Sequence, residues 1–92
     1  MIFENEIIEA GYIQKTHGIK GEVDVIFDIT NFDEEETNFL ILDIDGIFVP
    51  FFVENYRFKN ETSAIYTFLD ITNEQQAKSL VGKTIFIHKQ FL

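Results

Sequence analysis

The chain has 92 residues, 46% of them hydrophobic and none of them cysteine, which suffices for one domain with a single core and excludes disulfides and thiolate chemistry. Sixteen acidic against seven basic residues give a formal net charge of -9, which by itself disfavours binding to a phosphate backbone. No apolar run approaches the roughly 20 residues that a membrane-spanning helix needs, and the acidic start differs from a secretory signal, so we predict a cytoplasmic domain without a membrane partner.

The first third of the chain predicts two paired strands. The first spans Ile7–Gln14, and its apolar residues Ile8, Ala10 and Tyr12 are expected on one face. The second spans Glu22–Asp28, where apolar residues at every second position should face the core. Three carboxylates alternate with them and are expected to lie in water: Glu22, Asp24 and Asp28.

A short basic segment, Thr-His-Gly-Ile-Lys-Gly, is predicted to be the tight connection between these strands. Gly18 and Gly21 supply backbone angles that other residues disfavour. Lys15, His17 and Lys20 form the best candidate contact surface, because a turn flanked by glycines lets cations and backbone N–H groups approach an anionic partner. The alternative is a turn that serves only the geometry of the hairpin.

The middle of the chain predicts a solvated loop and then a hairpin. Thr30–Asn38 is acidic, has no apolar periodicity and is read as a loop or a single helical turn. Asp45-Gly46 separates the apolar runs Phe39–Ile44 and Ile47 onward, which is the strongest hairpin signal in the chain. Pro50 belongs at an edge or a bulge of a long, bent strand that runs to about Phe58.

The last third predicts a strand, a helix and a final strand. Ala64–Leu69 has few polar positions and should be covered on both sides. A helix over Asn73–Val81 is expected to begin with a capping box formed by Thr72 and Gln75 and to end at Gly82. Thr84 to about His88 forms the last strand. About six strands and one short helix before the last strand indicate an all-β, closed antiparallel barrel.

No catalytic or metal site is predicted. Two separated histidines without cysteine do not make a zinc site, and His17 with Glu22 is the only arguable acid–base pair for a small barrel enzyme or a cofactor-binding domain. We therefore expect no cofactor, no metal and no small-molecule substrate. Most aromatic residues lie among apolar neighbours and are read as core, except those beside polar or basic residues: Tyr12, Tyr56 with Arg57, and Phe58 with Lys59.

The segment Gly11–Val25, together with Pro50–Glu54 and the run from Leu69 to Gly82, resembles RimM, the family of bacterial small-subunit ribosome maturation factors. The resemblance implies a barrel similar to the second domain of translation elongation factors over residues 1–92. It favours a ribosome-binding role for Lys15, His17, Gly18, Lys20 and Gly21. Asp24 departs from the basic residue that is common at its place in the motif, which speaks against a broad cationic stripe along the second strand.

The resemblance also implies a function, that of a non-enzymatic, monomeric ribosome assembly factor domain. Such a domain is expected to bind the immature small ribosomal subunit, through a ribosomal protein of the head, rRNA or both, and to assist maturation of the head and rRNA processing. A second, PRC-type barrel is expected in the full-length protein and is absent from these residues, with Phe91 and Leu92 as candidate interdomain contacts. A purely structural domain that positions this second barrel is the remaining alternative.

Overall fold

Six antiparallel strands close into a ring in the computed structural model, which describes all 92 residues. The order around the barrel is β1-β2-β5-β4-β3-β6, which confirms the predicted all-β barrel with one short helix before the last strand. The elements are β1 (Ile7–His17), β2 (Glu22–Phe27), β3 (Phe39–Ile44), β4 (Ile47–Phe58), β5 (Ser63–Phe68), helix α1 (Glu74–Lys78), β6 (Thr84–His88) and two short 3₁₀ turns (Glu4–Glu6 and Lys89–Phe91).

The β3–β4 hairpin forms as predicted at Asp45-Gly46. Both turn residues have positive φ angles, +53° and +86°, as a two-residue turn between twisted strands requires. β4 is long and bent, because its first half pairs with β3 whereas its second half pairs with β5 across a register irregularity between Val53 and Asn55. Pro50 lies in the half that pairs only with β3, which is a position along a strand edge that tolerates a missing N–H.

The prediction that Ile8, Ala10 and Tyr12 share one face of β1 is wrong. Ala10 is buried, but Ile8 and Tyr12 are exposed. The register of β1 shifts between Glu9 and Gly11 against β6 and again between Ile13 and Lys15 against β2. A bulge adds one residue to one strand and so breaks the strict alternation of faces on which the prediction rested.

The acidic loop Thr30–Asn38 contributes to the core through one side chain. Its carboxylates are exposed as expected, and the Asp33 carboxylate accepts hydrogen bonds from the N–H groups of Glu35 and Glu36, so that Asp33 itself shapes the turn. Phe32 is buried, with its ring centroid 5.0 Å from that of Phe27. The loop therefore covers part of the barrel interior while its acidic groups remain in water.

Helix α1 is shorter than predicted, and its cap is displaced by one residue. Asn73, not Thr72, is the N-cap, and its side chain accepts a hydrogen bond of 2.8 Å from the N–H of Gln76. The Gln76 side chain in turn accepts one of 2.7 Å from the N–H of Thr72. The helix packs mainly on β1 and β2, and no helix of the structure has the length and apolar character needed to cross a bilayer.

The end of the chain folds back onto the barrel. Phe91 is buried, its ring lies 5.3 Å from that of Phe39, and its carbonyl accepts a hydrogen bond of 2.9 Å from the N–H of Asp33. Its side chain therefore packs in the core of this domain, and its part in an interdomain contact stays a prediction. Leu92 is about half exposed, so of the two predicted interdomain residues it is the accessible one.

A core hydroxyl gives a test of the packing. Tyr66 is fully buried, no protein group hydrogen-bonds its Oη, and burial, followed by the nearby Tyr56 and Glu34, raises its pKa. Because an unpaired buried hydroxyl costs about 1 to 3 kcal/mol, Tyr66→Phe is expected to leave the free energy of unfolding unchanged or to raise it by about 1 kcal/mol in urea denaturation. Tyr56→Phe, on a partly exposed side chain, is the control. A decrease of more than about 1 kcal/mol in the free energy of unfolding of Tyr66→Phe would show that Tyr66 Oη does make a hydrogen bond in the folded protein.

Candidate anion-binding surface

Strand pairing brings the basic residues of distant segments to one outer face of the barrel. Lys15 of β1 lies opposite Asp24 of β2, which lies opposite Ile65 of β5, which in turn lies opposite Arg57 of β4. Directly opposed residues of paired strands point to the same side of the sheet. We call this surface the basic face and define it by five residues: Lys15, His17 and Lys59, which contact Asp24, together with Arg57 and the turn residue Lys20.

Asp24 lies at the centre of the basic face and is contacted by three of its members. Lys59 donates a hydrogen bond of 3.2 Å from Nζ to Oδ2 of Asp24, and Lys15 Nζ lies 3.7 Å from the same oxygen. His17 Nδ1 lies 3.4 Å from the other oxygen, Oδ1, which accepts no hydrogen bond. One carboxylate therefore holds three basic side chains next to one another, two from β1 and one from the residue that follows β4.

The prediction that Asp24 lies in water is wrong, since its side chain is only 1% exposed. The alternation of β2 does place it on the outer face, but the side chains of Lys15, His17 and Lys59 cover it there. A buried carboxylate is costly unless charged or hydrogen-bonding partners compensate it. The two lysines supply that compensation at Oδ2.

Positive charge reaches the solvent on this face and negative charge largely does not. The side chains are 66% exposed for Lys15, 42% for Lys59 and 41% for His17, above the buried Asp24. Beside them Arg57 and Glu22 form an ion pair of 3.0 Å. The face thus holds four of the seven lysines and arginines but only two of the sixteen carboxylates, and it can bind an anion despite the acidic composition of the chain.

The β1–β2 connection is shorter than predicted. Thr16 and His17 belong to β1, and only residues 18–21 form the turn. Gly21 is buried there and packs closely against the backbone of Ile71: a Cβ atom on it would lie 2.3 Å from the Ile71 carbonyl oxygen. A Cβ on Gly18 would meet nothing within 4 Å. The structure thus requires glycine at position 21 for packing, while Gly18 and Lys20 are exposed in the turn.

His17 and Glu22, the one arguable acid–base pair, do not contact each other. His17 and Glu22 are cross-strand partners, but the Glu22 carboxylate pairs with Arg57 and His17 contacts Asp24. The structure has no group of three or more His, Cys, Asp or Glu side chains placed to hold a metal ion. The cleft beside Lys59 is open to solvent and is lined by Phe32, Phe58, two neutral polar residues and the acidic residues Glu34 and Glu61.

The sequence analysis did not predict that Arg57 and Lys59 lie near the basic residues of the β1–β2 connection. They lie 35 residues from Glu22 and Asp24 respectively, so their proximity follows from the pairing of β5 with both β2 and β4. A signal was nevertheless present. In the segment Tyr56–Lys59 basic residues alternate with aromatic ones, which places Arg57 and Lys59 together on the outer face of a strand.

Comparison with known proteins gives a consistent result. Residues 8–92 match the sequence profile described as the RimM N-terminal domain. A ribosome maturation factor RimM from Parabacteroides distasonis is 37% identical over 86 residues, which are 94% of this chain and 50% of that protein. Another from Phocaeicola vulgatus is 34% identical over 92 residues, 100% of this chain and 54% of that protein. The chain thus spans about half the length of these curated relatives.

Two solved structures share the fold. The crystal structure of a 16S ribosomal RNA processing protein RimM from Pseudomonas aeruginosa matches with a TM-score of 0.75 at 20% identity, over 94% of this chain and 52% of that one. The solution structure of the N-terminal domain of RimM from Thermus thermophilus matches with a TM-score of 0.72 at 15% identity, over 94% of this chain and 93% of that one. At these identities the likeness concerns the fold.

Proposed function

Because this chain belongs to the RimM N-terminal domain family, whose curated members are ribosome maturation factors, we propose that it acts in maturation of the small ribosomal subunit by binding the immature particle. The binding assists maturation of the subunit head and rRNA processing, and it takes place in the cytoplasm. In this proposal the domain is the monomeric amino-terminal barrel of a longer protein, whose second, PRC-type barrel adds its own contacts to a ribosomal protein of the head.

The basic face is the observation that carries the proposal. Its exposed lysine and arginine side chains are the groups that bind phosphates of RNA without reading the base sequence. The rest of the chain holds fourteen of the sixteen carboxylates and three lysines, so RNA is expected to favour the basic face over the remaining surface. The basic face thus gives the complex a defined orientation.

The proposed activity is binding without chemistry. A protein that binds one conformation of an RNA–protein particle more tightly than another shifts the population towards that conformation and forms or breaks no covalent bond. The basic face offers exposed cations for such binding, held in place by the buried carboxylate of Asp24. The exposed carboxylates of the acidic loop are left to face solvent or basic ribosomal proteins.

Co-sedimentation with immature small subunits tests the proposal. The variant Lys15→Gln/Lys59→Gln removes two cations of the basic face, and Lys78→Gln/Lys89→Gln removes the same charge elsewhere on the surface. The first variant is expected to bind about 20-fold more weakly than the unmodified protein at about 0.1 M salt, because each of its two lost phosphate contacts lowers the slope of log affinity against log salt by about 0.7. The affinity of the control variant is expected to stay within about twofold of the unmodified protein.

Folding of both variants is checked by circular dichroism, and adding Asp24→Asn to the first variant neutralises the carboxylate that has lost its lysines. Equal weakening in the two variants would show that general charge, and not the basic face, governs binding. Absence of binding by the unmodified protein would refute the role in small-subunit maturation.

A further inference from the structure

His17 contacts Oδ1 of Asp24, whereas the two lysines beside it contact Oδ2. We infer that His17 is a pH-dependent donor to an RNA phosphate on the basic face. Protonation of its ring adds a third cation to Lys15 and Lys59, and the site then binds a phosphodiester group more tightly. This inference rests on the proposed function only in naming RNA as the source of the phosphate. The site itself follows from the contacts around Asp24.

The contact with Asp24 determines how the histidine ring is used. Nδ1 lies 3.4 Å from Oδ1 of Asp24, a buried oxygen that accepts no hydrogen bond. A proton on Nδ1 is therefore favoured, since it places positive hydrogen charge and not a lone pair towards the carboxylate. Nε2 makes no hydrogen bond to a protein group, and the side chain is 41% exposed. Asp24 thus positions His17 so that its second nitrogen is free to bind a ligand.

Protonation at Nε2 doubles the net positive charge of the site. Lys15 and Lys59 carry two positive charges around the single negative charge of Asp24, so the site has a net charge of about +1 with a neutral histidine and about +2 with a protonated one. The protonated Nε2 also becomes a charged donor, and hydrogen bonds between charged groups are shorter and stronger than neutral ones. An anion therefore binds the protonated site better.

Other charged groups come from the turn, from β2 and from helix α1. Lys20 follows in the turn, and the cross-strand partner Glu22 is engaged by Arg57 at 3.0 Å. Helix α1, which packs on β1 and β2, carries Glu74 and Lys78, and Glu74 forms no ion pair with His17. Asp24 is thus the only carboxylate in ion-pair contact with the histidine ring.

The sign of the pH dependence follows from linkage. A bound phosphodiester favours the protonated ring, so the complex takes up a proton and the affinity rises as pH falls. Histidine is the side chain that changes charge between about pH 5 and pH 8, whereas a phosphodiester keeps its single negative charge throughout that range. Any change in affinity within this range therefore originates in the protein.

Fluorescence anisotropy with a labelled single-stranded RNA oligonucleotide tests the inference. Between about pH 8 and about pH 6 the affinity of the unmodified protein is expected to rise about tenfold, the gain of one charge-assisted hydrogen bond. His17→Gln, which cannot be protonated, is expected to give a flat profile near the high-pH affinity. His88→Gln removes the other histidine, which contacts Glu6 away from the basic face, and is expected to retain the rise.

A rise that persists in His17→Gln, or that disappears in His88→Gln, would overturn the inference, and so would an undetectable affinity for RNA at low salt. If His17→Gln does not fold, the titration of the His17 ring protons by NMR in the unmodified protein replaces it, with a midpoint that should move to higher pH when RNA is added. These results are separate from co-sedimentation: subunit binding without pH-dependent RNA binding refutes only the phosphate site, and the reverse refutes only the role in subunit maturation.

Discussion

Replacing Gly11 with alanine is expected to unfold the barrel or to lower its free energy of unfolding by more than about 4 kcal/mol. Gly11 lies in β1 between β2 and β6, opposite Phe27 on one side and Ile85 on the other. A Cβ atom on it would lie 1.9 Å from the carbonyl oxygen of Ile26 and 2.9 Å from the Cα of Phe27, and its φ angle of +154° disfavours other residues. Backbone paired on both sides cannot move away cheaply, so the clash persists.

Gly46→Ala is the matched control for this prediction. Gly46 also has a positive φ, +86°, but an added Cβ would meet nothing within 4 Å. Its expected cost is the conformational strain alone, about 1 to 2 kcal/mol. Urea denaturation followed by circular dichroism gives both values. If Gly11→Ala were as stable as Gly46→Ala, β1 would have to pass β2 at a greater distance than in the structure.

Gly21→Ala is expected to cost more than about 3 kcal/mol and also to weaken RNA binding. Its Cβ would lie 2.3 Å from the carbonyl oxygen of Ile71 and 3.1 Å from the backbone nitrogen of Asn73, at a φ of +99°. To relieve this contact the turn must move away from the segment that leads into α1. That movement displaces His17 and Lys20 on either side of the turn and therefore disturbs the basic face.

Gly18→Ala separates architecture from recognition in the same turn. Gly18 has a φ of +69° and open space around it, so the substitution is expected to cost only about 1 to 2 kcal/mol and to leave RNA affinity within about twofold of the unmodified protein. Thermal melts and anisotropy on the same samples measure both effects. A similar loss of stability in the two variants would contradict the close packing of Gly21 against Ile71.

Local patterns predicted the parts of the fold that local chemistry governs. Asp45-Gly46 gave the hairpin because its two positive φ angles are a property of those residues and of the twist of the strands. The helix was found before the last strand, but its cap fell on Asn73, since adjacent residues able to cap compete and packing selects one of them. The bulges of β1 were missed because the pairing of a strand with two neighbours, and not its own sequence, places them.

The sequence by itself determined the fold class, the family resemblance and the outward direction of Asp24, which follows from alternation along β2. Only the tertiary structure decided that Asp24 is buried and that it gathers the basic face. Its partner Lys59 lies 35 residues away in the chain, and the two meet because β5 pairs with both β2 and β4. The environment of a charged group depends on which side chains cover it, and in a closed barrel those side chains come from strands that are distant in sequence.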